Sequence, residues 1–140
     1  MKTLYVMAIA LASLSTAAAA EDFDGSKPLV CTPLQGHDCL PDQQSCKPLE
    51  PRLKGVRDFG FDFTKKLLWS PYRTANLPIQ EVSNNAESLV LQGTTLQLVW
   101  SGTIHRKTGR MTVAIADREG AYVVFGQCKV GSIPQSTTPP

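Results

Sequence analysis

The sequence predicts an all-β domain: a small antiparallel meander, curled into a partly closed barrel or folded as a sandwich, and stapled by disulfides. Three observations predict it. Proline is absent from Ile79 to Ile133, whereas Glu21 to Pro78 holds seven of the ten prolines and three of the four cysteines. Proline removes a ladder donor, so a continuous sheet belongs in the second stretch and mainly loops and short strands in the first. Apolar residues recur with period two between turn-forming clusters, and no window offers a capped 3.6-residue period. Lastly, the four cysteines follow an export leader, which places them where thiols pair.

The leader spans residues 1–20. Lys2 supplies its positive region, Leu4 to Leu14 its apolar core, and Ala18-Ala19-Ala20 a small-residue cleavage site before Glu21. A single β domain is expected over 21–130, followed by a polar, proline-ended, disordered tail over 131–140. Leu29 to Thr32 reads as the first strand. Phe59, Phe61 and Phe63 alternate with Gly60 and Asp62, and Thr64-Lys65-Lys66 turns the chain into Leu67-Leu68-Trp69. Ile79 to Val82 and Ser88 to Gln92 flank a turn-like cluster, Ser83 to Glu87. Leu96, Leu98, Trp100 and Ile104 then alternate with Gln97, Ser101 and Thr103. His105 to Gly109 forms the next hairpin loop, with Gly109 supplying a positive φ. Met111, Val113 and Ile115 return, Asp117 to Gly120 turns again, and Ala121 to Lys129 is the last strand. The expected core is Phe61, Leu98, Trp100, Val113, Ile115 and one face of Ala121 to Cys128.

Charge narrows the function. Of 14 Lys and Arg residues only Lys2 lies in the leader, so the mature chain carries 13 against 12 acidic residues, a net of +1. That balance argues against nucleic acid as a partner. No later stretch approaches the roughly 20 apolar residues of a membrane helix. A soluble periplasmic or secreted protein is the expectation.

Cys31, Cys39, Cys46 and Cys128 allow three pairings. Barrel closure pairs first and last strands, which favours Cys31–Cys128, and the short loop between Cys39 and Cys46 favours the other pair. On the chain-entropy model the long loop contributes about 4.7 kcal/mol and the short one about 2.5. The competing reading is a metal held by His37, Cys39 and Cys46 with Cys31 or Asp38, but the spacing is not a paired C-x-x-C zinc pattern. No metal or other cofactor is expected.

Candidate catalysts do not assemble into a known constellation. His37 and His105 lack a neighbouring nucleophile, Ser101-Gly102 lacks the G-x-S-x-G elbow, and Asp58, Asp62, Asp117 and Glu119 sit beside turns. The expectation is a non-enzymatic protein, with a small hydrolase as one alternative. Lys65 and Lys66 on one turn, and Arg106, Lys107 and Arg110 around another, form an anion-binding patch if the two turns share an end of the sheet. Its partner would be an envelope polymer, lipid headgroup or protein. As free turn-tip charges, these residues should contribute little to folding.

The run Leu91-Gln92-Gly93 … Trp100-Ser101-Gly102 … Thr108-Gly109-Arg110-Met111 … Val124-Phe125-Gly126-Gln127-Cys128 resembles a group of short periplasmic proteins of Gram-negative bacteria. In that group an FGxC motif follows a TGRM-like turn, and Cys31-Thr32-Pro33 with His37-Asp38-Cys39 matches its upstream segment. The resemblance implies a fold and a compartment, not an activity. In architecture the chain is also similar to the periplasmic inhibitors of C-type lysozyme, which implies a protein-binding module as another alternative. Their Ser-Gly-x-x-Tyr loop has its nearest counterparts in Glu119-Gly120-Ala121-Tyr122 and in Ser101 to His105.

Overall fold

The computed structural model describes residues 22–49, 58–71 and 75–132. The expected leader over 1–20, Glu21 and most of the expected tail, from residue 133 on, lie outside the described residues. Ten strands follow one another: β1 (Leu29–Cys39), β2 (Lys47–Leu49), β3 (Phe59–Asp62), β4 (Leu67–Ser70) and β5 (Ala75–Pro78), then β6 (Glu81–Asn84), β7 (Ser88–Thr94), β8 (Leu98–His105), β9 (Arg110–Asp117) and β10 (Gly120–Val130). They form one antiparallel sheet in the order β5-β4-β3-β1-β10-β9-β8-β7-β6, with β2 added beside β1. Among the described residues no helix is long and apolar enough to cross a membrane.

The sheet curls until its two ends meet in one run of chain. β5 pairs with β4 and β6 with β7, yet only Ile79 and Gln80 separate β5 from β6. Ile79 donates its N–H to the carbonyl of Lys66 at 2.8 Å, and Gln80 donates to Gln92 at 2.9 Å. The residues between the strands thus hand the ladder from one sheet end to the other. The Gln80 side chain secures the kink, donating to the Thr94 carbonyl at 3.3 Å and accepting from the Thr94 N–H at 2.9 Å. From inside, Trp100 Nε1 donates to the carbonyl of Pro78 at 3.0 Å. Gly93 makes that approach possible: a Cβ there would lie 1.9 Å from the Pro78 oxygen and 2.4 Å from Trp100 Nε1.

The interior follows the two-residue period. Leu89 and Leu91 on β7, Trp100 and Ile104 on β8, and Met111, Val113 and Ile115 on β9 point inward with Tyr122, Val124 and Cys128 of β10. Phe59, Phe61 and Leu68 close the core from the other side. Leu98 and Phe63, also taken from the alternation, are only partly buried at its margin.

Three strands carry prolines that the sequence reading kept out of them. Pro33 sits in central β1, where the register against β10 shifts between Pro33 and Gln35, so a bulge absorbs its missing donor. This lets β1 run to Cys39 rather than stop near Thr32. Pro48 lies in the short β2, and Pro78 ends β5. Both occupy positions that a ladder tolerates.

Candidate functional site

Strand direction brings the β3–β4 and β8–β9 turns to one end of the barrel. β1 begins there at Leu29, paired with Phe61, while β8 leaves there at His105, paired with Ser88. The five candidate cations Lys65, Lys66, Arg106, Lys107 and Arg110 therefore share an end. They do not share a role.

A strap formed by residues 22–28 crosses this end before β1 begins. Phe23 is buried, its N–H donates to the Arg106 carbonyl at 3.0 Å, and its ring closes on Gly109. Gly109 has φ 69° and is followed by the last strand's contact to it, Cys128 N–H to Gly109 carbonyl at 2.8 Å. A side chain there would strain the backbone and collide with the Phe23 ring. Further along, Gly25 lies against Leu89 and Phe63, and Asn84 Nδ2 donates to the Asp24 carbonyl at 2.9 Å. The strap thereby bridges the two sides of the barrel mouth.

Arg106 anchors it. Its Nε donates to Asp22 Oδ1 at 2.9 Å, Nη2 pairs with Asp22 Oδ2, and Nη1 donates to the Asn85 carbonyl at 2.9 Å. The Asp22 hydrogen bond raises the guanidinium pKa from its ordinary value. The expectation that Arg106 is a free turn-tip charge is therefore corrected: it is a tie between strap and β6–β7 turn. Asp24 accepts from the Ser26 hydroxyl and from its N–H at 2.8 Å, and these bonds, with Arg106 nearby, lower its carboxyl pKa. Asp22, Phe23, Asp24 and Asn85 escaped the sequence reading because their meaning depends on a partner up to 84 residues away.

Of the remaining cations, Lys65 lies 3.7 Å from Asp62 across an exposed turn. Lys66, Lys107 and Arg110 are exposed, and among the described residues none has an acidic partner. Lys66 has φ 54°, the left-handed region where glycine or asparagine is comfortable and a long side chain is not.

The opposite end carries the β7–β8 loop and the β9–β10 turn. Thr95 fixes the loop, its N–H donating to the Leu98 carbonyl at 2.8 Å and its Oγ1 accepting from Gln97 and Leu98. Leu96 at the tip is fully exposed. His105 pairs with Ser88 across β8 and β7 and its Nδ1 accepts from the Thr108 N–H at 3.2 Å, while His37 sits half-buried on β1 opposite Val123.

Both disulfides are formed, Cys31–Cys128 between directly paired residues of β1 and β10, and Cys39–Cys46 across the β1–β2 connection. The second bond occupies the thiols that the metal reading required, and no group of three His, Cys, Asp or Glu among the described residues is placed to hold a metal ion. No known protein family, curated protein or solved structure matches this chain.

Proposed function

We propose that this is an exported envelope protein that acts by binding rather than by turnover, meeting an anionic envelope component through the strap-covered end of its barrel. Lys66 carries the reading. A lysine in the left-handed region costs on the order of 1–2 kcal/mol relative to a relaxed backbone, and glycine would remove that cost. Keeping a cation there makes sense if its charge is used. Lys107 and Arg110, unpaired at the same end, supply the rest of an attraction that the near-neutral chain as a whole does not provide. Two formed disulfides suit an oxidising compartment.

Changing Lys66, Lys107 and Arg110 together to Ala and leaving Arg106 in place tests the reading. Envelope retention of the parent should fall as salt rises, because exposed charges act over about 8 Å at physiological ionic strength. The triple variant should show weak retention with no salt dependence. Equal retention of both proteins at every salt concentration would reject it.

A second reading, a protein-binding module at the other end, is favoured by Leu96. It is an apolar side chain held fully exposed on a hydrogen-bonded tip, where a partner's surface could cover it. Recovery of a protein partner by the parent and not by Leu96→Asp would support it.

A further inference from the structure

The outward face of β7 to β10 differs from both ends of the barrel. Two adjacent rows cross it, Thr94-Val99-Ala116-Ala121 and Gln92-Ser101-Ala114-Val123, and neither holds a charge. Alanine is a poor strand former, and outward positions of central strands favour β-branched or aromatic residues. Here Ala116 pairs directly with Ala121, and Ala114 lies between Ser101 and Val123. These short side chains leave an open groove of about 500 Å³, within the range of small-molecule sites.

The groove has a methyl floor and one polar wall. Gln92 and Ser101 face each other across β7 and β8, and neither side chain has a partner among the described residues. Among the described residues Glu81, exposed at the start of β6, is the only charged side chain in the lining. The Gln80–Thr94 bonds and the Trp100–Pro78 bond hold that wall in place.

We propose that this groove is a binding site for a small amphiphile with an apolar body and a single positive charge, the body on Ala114, Ala116 and Ala121 and the cationic head at Glu81. Among the described lining residues an anion would meet a carboxylate and no cation. The site lies on the barrel wall, away from Lys66, Lys107 and Arg110, so it stands or falls independently of the anion-binding reading.

Titration of the mature protein with hexylamine, hexanol and hexyl sulfate, followed by amide NMR, tests it. Hexylamine should bind saturably, with shifts centred on Ala114, Ala116 and Ala121. It should bind about two- to five-fold more tightly than hexanol, the range one exposed ion pair supplies, and hexyl sulfate should be weakest. Glu81→Gln should bring amine and alcohol together. Ala116→Phe fills the floor and should abolish binding while suiting a strand. Ser101→Phe, at an exposed wall position, does the same with less risk to folding, and Thr103→Phe, outward on β8 but outside the groove, should bind as the parent does. Absence of saturable amine binding, sulfate binding as tight as amine, or binding unchanged in a folded Ser101→Phe protein would overturn the proposal.

Discussion

A half-exposed arginine holds one end of this barrel together. Arg106 gathers Asp22 of the strap and Asn85 of the β6–β7 turn with a fork-shaped head that lysine lacks. Arg106→Ala should therefore lower the midpoint of chemical denaturation, and Arg106→Lys should recover only part of the loss. Lys66→Gly should do the reverse, raising stability by up to about 1 kcal/mol while weakening any anion binding. Inside, Trp100→Ala should cost about 3–5 kcal/mol, since it removes a buried ring and strands the Pro78 carbonyl. Gly93→Ala should cost at least about 2 kcal/mol, because its Cβ has no room beside Pro78. The burial of Trp100 was legible from alternation alone. Its hydrogen bond was not, because Pro78 lies 22 residues away and the kink that delivers it leaves no local mark.

Elements divide along the same line. β7 to β10 were legible because each buries one face and keeps its register through short turns. β2, β5 and the far half of β1 were not, since a bulge and two permitted positions accommodate prolines that otherwise argue against a strand. The strap has no periodicity, and only its partners give it meaning. Acid should loosen it first. The native carboxyl of Asp24 sits below its ordinary value, so its contribution is full above the unfolded pKa of about 3.9 and fades as pH falls through the depressed one. Hydrogen exchange at Phe23 and Ser26 should accelerate in that acid window before exchange in β9 and β10 does. Uniform acceleration through strap and core would mean that the strap is no separate unit.

At the scale of the whole molecule, the disulfides carry unequal loads. Cys31–Cys128 joins the first and last strands across 97 residues, whereas Cys39–Cys46 closes a separation of seven. Replacing the first pair with Ala should cost about 2–5 kcal/mol of global stability, and replacing the second should cost less and loosen mainly the β1–β2 hairpin. Both pairings were legible from strand order and loop length. That the cation-bearing turns share an end follows from strand direction, but which cations stay free was hidden, because Arg106 finds its acid in the strap. The proposed function rests on binding by those exposed cations. Cosedimentation of residues 21–140 with vesicles containing phosphatidylglycerol, against vesicles of phosphatidylcholine alone, checks this. The protein should bind the anionic vesicles only, with binding that fades as salt rises and is lost in the Lys66, Lys107 and Arg110 triple variant. Binding equal on both lipids, or undiminished in that variant, would contradict it.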